Sequence, residues 1–460
     1  MLLKNRLNDL KKVFKAENIL LGKEECYCYA FDSSNLKSKT KIPETVIFVE
    51  TIEDVQKVLQ YAYKNNIPVI SRGAGTNMVG ACRCTEGGII LNFSKMNKIL
   101  SIDSSNMTAT VQPGVVVGDL KKATEAFGMF FPPDPSNFKV STIGGAIAQS
   151  SGGAKSLKYG TTKDYVLSLK VVTSDGKLMT LGAKTIKDAV GYHFAQLMVG
   201  SEGTLAVIVE ATLKLIPKPQ TSRTILIYFD DIKRATTFVD KIITSNVYPS
   251  AVDFIDNNTI NTIEDFSHCG LNRTKQCMLL VELDGFLSAI NEQIEIIKKL
   301  LGNFSSNDLK IATNEEESDR FWQARRASYA ATARLAPDVL SEDIIVPRNK
   351  LYEMISECNS IAKKYDLKIC LIGHVGDGNL HPQFAIDLSN DEEFKKYMDA
   401  KSQMYKFALE LGGTISGEHG IGIEKKDYLE ESVGNDTIEY MRMIKKIFDP
   451  KGILNPGKIF

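Results

Sequence analysis

The sequence predicts an α+β protein of two domains, and three observations support this fold class. The chain has 460 residues, more than a single domain usually holds. Thirteen of its 33 glycines fall within residues 73–160 among strand-like segments, which indicates a folded region where backbone approaches a ligand closely. After Pro217 and Pro219, strand-like and helix-like segments alternate. We therefore expect one domain over 1–217 and a second over 218–460.

The composition argues against several classes of protein. Lys plus Arg and Asp plus Glu each number 56, so the chain lacks the basic excess of a general nucleic-acid binder. No apolar run approaches the roughly 18 residues that a membrane-spanning helix needs. The opening segment MLLKNRLNDLKKVF is typical of an amphipathic helix and not of a secretory signal. Eight cysteines without a CxxC pair disfavour zinc-ribbon and iron–sulfur motifs and predict reduced thiols in a cytoplasmic protein.

The first domain is predicted to form around a glycine-rich loop. Thr51 is a favourable N-cap for a helix whose apolar residues recur at three- and four-residue spacing. A short strand at 68–71 leads into the loop RGAGTNMVG, residues 72–80. Further strands are predicted at 88–93, 108–111 and 167–173.

The loop at 72–80 has several possible interpretations. A Rossmann loop is disfavoured because the third glycine comes two positions late and a strand-like segment follows. A Walker A loop is disfavoured because the terminal GK[ST] is missing. Consecutive N–H groups could instead form an anion nest around a pyrophosphate, with Thr76 and Asn77 as additional polar groups. A plain glycine turn remains the alternative on these residues alone.

The second domain is predicted from alternating segments after residue 218. Strands at 225–230 and 277–283 alternate with helices at 232–245 and 288–301, which predicts a sheet covered by helices on one face. Later helices are expected at 315–335, 389–411 and 437–448, before the terminal segment FDPKGILNPGKIF.

Three of the five histidines fall in two short segments, IGHVGDGNLHPQF (372–384) and SGEHGIG (416–422). If Asp377 and Gly378 form a two-residue hairpin turn, His374 lies opposite His381 with β-carbons roughly 5 Å apart. Two imidazoles and the carboxylate of Glu418 are a common ligand set for Zn²⁺, Mn²⁺ or Fe²⁺. A purely structural pair of histidines at a hairpin is the alternative that these residues leave open.

Taken in order, RGAGTNMVGA, VQPGVVVGDL, PPDP, IGGAIAQSSGGAKSLKYG and GSEGTL resemble the flavin-binding motifs of the FAD-linked oxidases. The resemblance is closest to the branch of glycolate oxidase large subunits and D-lactate and D-2-hydroxyglutarate dehydrogenases, and it covers nearly the whole chain. It implies a two-subdomain FAD-binding domain of the vanillyl-alcohol-oxidase type. An α+β, ferredoxin-like substrate domain should follow, with a C-terminal segment that returns to the flavin.

The resemblance also implies which residues hold FAD, with the loop at 72–77 on the pyrophosphate. Some members tether the flavin through a histidine in this loop, which is absent here, and His193 and His268 lie outside the flavin motifs. We therefore expect non-covalent FAD. The implied FAD-binding residues are Arg72, Gly73, Ala74, Gly75, Thr76, Asn77, Gly80, Ala81, Pro133, Asp134, Thr142, Gly144, Gly145, Gly152, Gly153, Tyr159, Gly160, Glu202, Gly203, Val207 and Asn455.

The same resemblance implies roles in the second half of the chain. Residues matching His374, His381 and Glu418 bind one divalent metal, and the residue matching His419 is the catalytic base. The family's Trp-x-x-Arg arginine corresponds to Arg325, which would bind the substrate carboxylate; a solvated helix face is the alternative. Relatives specific for 2-hydroxyglutarate carry a lysine six residues before the proline of the following strand. Here Ser341 takes that place, which favours a monocarboxylate.

The implied activity is oxidation of D-lactate or glycolate to the 2-oxo acid. Metal binding would lower the pKa of the substrate hydroxyl, His419 would take its proton, and the hydride would pass to the flavin. Electrons would continue to an electron-transfer flavoprotein or an iron–sulfur subunit, and a homodimer is a further expectation. The alternatives are a D-2-hydroxyglutarate dehydrogenase, a non-redox flavoprotein such as the ether-lipid synthases, and a metallohydrolase, which would leave the glycine motifs unexplained.

Overall fold

The computed structural model describes residues 10–35, 37, 40–302, 304 and 308–460, and it forms two compact units. The amphipathic helix expected at the N-terminus lies mainly on residues 1–9, outside this range. Among the described residues, no helix is both long and apolar enough to cross a bilayer. The first unit comprises Met1–Ser151, Thr161–Lys218 and Glu418–Phe460, and the second comprises Gly152–Gly160 and Pro219–Gly417.

The first unit contains a four-stranded sheet with a parallel centre. The helix Ile52–Asn65 connects two of its strands. Thr51 and Asp54 form a capping box at its start, and Asn66 ends it in the left-handed conformation with φ 52°. Its buried residues lie three and four positions apart and pack into the core with the sheet. In spatial order, the strands are Ile19–Leu20, Thr45–Phe48, Ile89–Asn92 and Val69–Arg72.

A second, five-stranded sheet in this unit is antiparallel throughout. A short ladder pairs Met129–Phe130 with Ile216–Pro217. In spatial order, the five strands are Ile99–Asp103, Thr108–Val111, Val207–Lys214, Val166–Val172 and Leu178–Gly182. The other α-helices are Lys23–Tyr27, Val117–Glu125, Ile143–Gln149, Phe194–Met198, Leu429–Val433 and Asn435–Phe448. The 3₁₀ turns are Leu10–Lys12, Ala16–Asn18, Thr162–Tyr165 and Lys426–Tyr428.

The second unit is built on one antiparallel sheet. Its strands, in spatial order, are Leu309–Ile311, Thr221–Phe229, Cys277–Gly285, Pro249–Asp256, Lys368–Gly373, Asn379–Ile386 and Asp338–Ser341, with Ile344–Ile345 also paired to Asn379–Ile386. Its helices are Ser156–Tyr159, Ile232–Ile243, Asn257–Ser267, Leu287–Gly302, Glu315–Thr332, Leu351–Tyr365 and Asp391–Glu410, with a 3₁₀ turn at Arg348–Lys350.

Helices cover both faces of this sheet, so the expectation of one covered face is wrong. Tyr228 packs in a core cluster with Ile260 and Ala324 from two helices. The next residue, Phe229, points to the opposite face, where its ring contacts that of Phe238 at 5.5 Å between centroids. Because both faces are covered, central strands are buried along their whole length and lose the alternation that marks a strand in sequence.

Several elements of this unit were absent from the predicted order, among them the helix Leu351–Tyr365 and a central strand with the helix that follows it. The strand Pro249–Asp256 is buried at every position, and its two aspartates interrupt the apolar pattern. Asp256 then caps the helix Asn257–Ser267 by accepting from the N–H of Thr259. This strand occupies the middle of the sheet, next to Lys368–Gly373, where the histidine segment begins.

The units differ from the two predicted domains in two places. Residues 152–160 group with the second unit because they are bound to its sheet: Lys155 pairs with Glu282 at 2.9 Å, and the Tyr159 hydroxyl donates to Asp284 at 2.8 Å. Residues 418–460 group with the first unit, where Leu454 forms a bridge with Val69.

Candidate functional site

The glycine loop of the first unit lies against the start of the helix Ile143–Gln149. A β-carbon on Gly73 would meet Oγ1 of Thr142 at 2.1 Å, so only glycine fits this approach. Thr142 caps the helix by accepting from the N–H of Gly145. Gly75 has φ 72°, and the next regular element after the loop is the strand Ile89–Asn92, not a helix. The loop is therefore not a Rossmann turn.

Buried polar atoms without a hydrogen-bond partner occur on these first-unit segments. Within the described part of the chain, they include Nη1 of Arg72, Oγ of Ser141, Oε1 of Gln149 and Oδ1 of Asn455. Leaving such a group unsatisfied costs about 1–3 kcal/mol. A large polar ligand with phosphate, amide and hydroxyl groups would satisfy them, and FAD has this chemistry.

The C-terminal segment returns to the glycine loop through Asn455. Its side-chain Nδ2 donates to the main-chain oxygens of Ala81 and Glu202, at 2.9 and 2.7 Å. Its own N–H donates to the oxygen of Val69, and its φ of 43° lies in the left-handed region. Asn455 therefore joins two of the predicted FAD-binding segments.

Glu202 and Asn77 hold the segment that carries His419. The buried carboxyl of Glu202 accepts from the N–H groups of Ile421 and Gly422, at 2.7 and 2.9 Å. Burial raises the pKa of Glu202 to about 7, although these hydrogen bonds act to lower it. The Asn77 side chain donates to the oxygen of His419 at 3.4 Å.

The predicted FAD-binding residues are distributed over both units of the chain. One of them, Asp134, pairs with Lys121 at 2.6 Å. Six other predicted FAD-binding residues also belong to the first unit, namely Ala74, Thr76, Gly80, Gly144, Gly203 and Val207. The second unit contains Gly152, Gly153, Tyr159 and Gly160.

In the second unit, the imidazoles of His374 and His381 lie close together, with ring centroids 5.3 Å apart. The predicted register is nevertheless wrong, because His381 pairs with Ile372 and not with His374. The oxygen of His374 accepts from the N–H groups of Asp377 and Asn379, which makes a longer turn than Asp-Gly alone. The register differs by two residues, so both side chains keep the predicted face.

Both imidazoles are oriented through Nδ1. His374 Nδ1 lies 2.8 Å from a carboxylate oxygen of Asp253, and His381 Nδ1 lies 3.1 Å from the main-chain oxygen of Glu342. Since these oxygens can only accept, each Nδ1 carries a proton, and in the neutral imidazole Nε2 is the atom that has the lone pair. This is the arrangement found for metal-binding histidines. The side chain of Glu342 is itself fixed by the buried hydroxyls of Tyr397 and Tyr405.

Arg325 faces the sheet and not the solvent. Its Nε donates to Asp253 at 2.7 Å, and only 13% of its side chain is exposed, whereas Arg326 is exposed and pairs with Asp319. In the described structure, no hydrogen bond involves Nη1 or Nη2 of Arg325. Asp253 was missed by the sequence reasoning; the available signal was a carboxylate within an otherwise apolar segment, which requires a buried partner.

Asp343 is a second missed residue, and it connects two of the predicted metal-binding segments. One of its oxygens accepts from the side chain of Asn379, two residues before His381. The other accepts from the hydroxyl of Ser416 and the N–H of Gly417. Glu418 is the next residue along the chain.

Comparison with known proteins supports this description of the chain. Residues 218–459 match the C-terminal domain of the FAD linked oxidases, and residues 43–182 match an FAD binding domain. Glycolate oxidase subunit GlcD of Bacillus subtilis (strain 168) is 41% identical over 94% of this chain and 92% of its own. D-lactate dehydrogenase of Anaerostipes hadrus is 34% identical over 97% of this chain and 96% of its own.

Solved structures share the fold. p-Cresol methylhydroxylase has a TM-score of 0.81 at 16% identity and covers 99% of this chain and 96% of its own. Alkyldihydroxyacetonephosphate synthase has a TM-score of 0.77 at 22% identity and covers 98% of this chain and 85% of its own. The predicted fold class, family and branch are thus confirmed. The chain is an FAD-linked oxidoreductase and belongs to the FAD-linked oxidase family.

Proposed function

We propose that this protein oxidises a small 2-hydroxy acid, D-lactate or glycolate, to the corresponding 2-oxo acid. The similar proteins named glycolate oxidase subunit and D-lactate dehydrogenase support this substrate class. The observation that carries the proposal is the pair His374 and His381, whose Nδ1 atoms are both bound so that both Nε2 atoms present lone pairs. Such a pair suits chemistry on a chelating hydroxy acid and has no evident use in flavin binding alone.

The cofactor is FAD, bound without a covalent link. The partnerless atoms of Arg72, Ser141 and Asn455 fit its polar groups, and Gly73 allows its backbone to approach closely. FAD supplies the hydride acceptor. His193 and His268 are exposed, and the glycine loop has no histidine for a covalent attachment.

One divalent metal, Zn²⁺, Fe²⁺ or Mn²⁺, is proposed to bind His374, His381 and Glu418. Two neutral imidazoles and one carboxylate suit these ions, and a bound ion would lower the pKa of a substrate hydroxyl. Glu418 is assigned because it directly follows Gly417, whose N–H is bound by Asp343. Asp343 Oδ1 in turn lies 3.9 Å from His381 Nδ1.

Two residues are proposed to act on the substrate itself. His419 accepts the hydroxyl proton, since imidazole changes protonation near neutral pH. Glu202 and Asn77 fix its main chain. Arg325 binds the substrate carboxylate through its Nη groups, because its Nε is already committed to Asp253. Ser341 lies opposite Gln383 in the sheet, and neither supplies the second cation that a dicarboxylate would require.

Reduced flavin must pass its electrons to a partner. We propose an electron-transfer flavoprotein or an iron–sulfur subunit, consistent with a relative whose name describes it as a subunit. The balanced charge of the chain gives no reason to invoke nucleic acid. A cytoplasmic location and a homodimer complete the proposal.

Steady-state turnover with a dye as electron acceptor tests this function. The FAD-loaded protein should convert D-lactate to pyruvate or glycolate to glyoxylate, detected as the 2-oxo acid. Two electrons should reach the dye for each molecule of product. Strong preference for D-2-hydroxyglutarate would contradict the monocarboxylate assignment. No oxidation of any 2-hydroxy acid by a yellow, metal-containing protein would point to non-redox flavin chemistry and overturn the proposal.

A further inference from the structure

We propose that Asp253 is a positioning residue that orients both His374 and Arg325, so that one carboxylate governs metal affinity and substrate binding together. This inference rests on the proposed function, because it assigns His374 to the metal and Arg325 to the substrate carboxylate. Asp253 itself touches neither ligand. It acts through the two side chains that it holds.

Each oxygen of the Asp253 carboxylate binds one of the two partners. Oδ1 lies 2.8 Å from Nδ1 of His374, and Oδ2 lies 2.7 Å from Nε of Arg325. The Asp253 side chain is 1% exposed, so water does not compete for either oxygen. A planar carboxylate with both oxygens bound fixes the directions of the imidazole and the guanidinium relative to each other.

The strand that carries Asp253 also holds the histidine segment through its backbone. The oxygen of Val252 accepts from the N–H of Gly376, and Phe254 pairs with Gly373. Leu157 closes the other side, since a β-carbon on Gly376 would meet its side chain at 2.5 Å. The main chain around His374 is therefore fixed independently of Asp253, and the Asp253 side chain adds ring orientation and charge.

The charge of Asp253 matters to both partners. Both oxygens of Asp253 are bound by donors, Nδ1 of His374 and Nε of Arg325, and the guanidinium places a permanent positive charge beside Oδ2. A carboxylate acceptor on Nδ1 keeps the proton there and makes Nε2 a better metal ligand. A neutral amide could not replace it, because one of its two ends is a donor and would face a donor of His374 or Arg325.

Asp253→Asn tests this role, and Asp256→Asn is a matched control. Asp256 is a buried carboxyl on the same strand that accepts from Thr259 and Leu371, and in the described part of the chain it forms no hydrogen bond or ion pair with His374 or Arg325. Both variants replace a buried carboxyl by an amide, so any general effect of that replacement should appear in both. Metal affinity is measured by equilibrium dialysis against buffered Zn²⁺, and KM and kcat for D-lactate are measured at saturating metal.

We expect Asp253→Asn to weaken Zn²⁺ binding by about 10–100-fold and to raise KM more than it lowers kcat, while FAD content stays normal. Asp256→Asn should keep wild-type metal affinity and KM. Histidine ¹⁵N spectra of the metal-free proteins should show a smaller population of the Nδ1–H tautomer of His374 in Asp253→Asn, and no such change in Asp256→Asn. If Asp253→Asn does not fold, two other variants test the inference. Arg325→Lys should bind Zn²⁺ less tightly than wild type, and His374→Gln should have a higher KM for D-lactate than wild type.

Two results would overturn the inference. If Asp253→Asn binds Zn²⁺ with wild-type affinity, or if both variants lose affinity equally, Asp253 has only a structural role. These results leave the proposed function intact as long as the wild-type protein binds metal and oxidises a 2-hydroxy acid. If the wild-type protein binds no divalent metal, the proposed metal function and this inference both fail.

Discussion

The N–H of Gly417 donates a hydrogen bond of 2.8 Å to Oδ2 of Asp343, a carboxylate that is fully buried. The other oxygen of Asp343 accepts from Asn379, at the start of the strand that carries His381. One side chain thus ties the strand of a proposed metal ligand to the segment that runs into Glu418. Removing that side chain should therefore affect both stability and metal binding.

Asp343→Ala should remove the acceptor of the Gly417 N–H and one of the two acceptors of the Asn379 amide, which also donates to the main-chain oxygen of Ile344. An unsatisfied donor costs about 1–3 kcal/mol, so the free energy of unfolding should fall by about that amount. Metal content should fall with it, because Glu418 loses its anchor. Denaturant unfolding and elemental analysis check both effects; a change within about 0.5 kcal/mol would show that Asp343 is dispensable.

His381→Ala should abolish stoichiometric metal binding. A buried imidazole oriented by Glu342 is lost, and two ligands hold a divalent ion far less tightly than three. FAD content should remain normal, since the FAD-binding residues proposed in the glycine loop are untouched. Elemental analysis after dialysis is the measurement, and full metal occupancy in the variant would contradict the ligand assignment.

His419→Ala should retain both FAD and metal but lose the base. Removing a general base typically costs about 10²–10⁴-fold in rate. Stopped-flow absorbance should show flavin reduction by D-lactate slowed by this factor. His193→Ala, an exposed histidine outside the site, serves as the control and should reduce at the wild-type rate. Equal rates for the two variants would remove His419 from the mechanism.

Gly73→Ala should impair FAD binding. The added β-carbon would lie 2.1 Å from Oγ1 of Thr142, and moving Thr142 breaks the cap of the helix Ile143–Gln149, which is worth about 1 kcal/mol. The bound FAD per chain, measured by absorbance, should fall. Gly302→Ala is the control, because a β-carbon at that position would meet no described atom within 4 Å. An unchanged amount of bound FAD per chain in Gly73→Ala would mean that the loop accommodates the added β-carbon.

Glu202→Gln should change how stability depends on pH. Burial raises the pKa of Glu202 to about 7 from the ordinary 4.5, so between these values the folded protein holds a proton that the unfolded chain releases. The contribution of Glu202 to the free energy of unfolding is therefore fully present below pH 4.5 and is lost as pH rises to about 7. The introduced amide carries a pH-independent cost, because its NH₂ faces one of the two N–H donors, but the variant should gain on wild type as pH rises across that window, by up to about 3 kcal/mol. Thermal midpoints from pH 4.5 to 8 check this; a pH-independent difference would contradict it.

The sequence was most informative where local chemistry dictates structure. The N-cap at Thr51 and the apolar spacing behind it predicted a helix, which the structure places at Ile52–Asn65, and the strand Thr108–Val111 was predicted with its observed bounds. The glycine loop was also recognisable, because backbone contact such as that of Gly73 with Thr142 tolerates no side chain.

Long-range contacts were not predictable in the same way. The hairpin at His374 and His381 has a register set by main-chain bonds from Gly376 to Val252, a strand far away in sequence. The apolar neighbours of Asp253 indicate burial but not its partner, and Asp343 looks like an ordinary charged residue; only folding places the two beside His374 and Gly417. The two imidazoles were nevertheless predicted on one face, because a two-residue change of register preserves side-chain direction.

Anaerobic titration of the purified yellow protein tests the central claim most directly, with metal analysis on the same sample. D-Lactate or glycolate should bleach the flavin absorbance near about 450 nm to completion at one equivalent of acid per flavin, in a protein that carries one divalent metal. L-Lactate and 2-hydroxyglutarate should bleach it far less. Flavin that remains oxidised with every 2-hydroxy acid, in protein with full FAD and metal, would contradict the account.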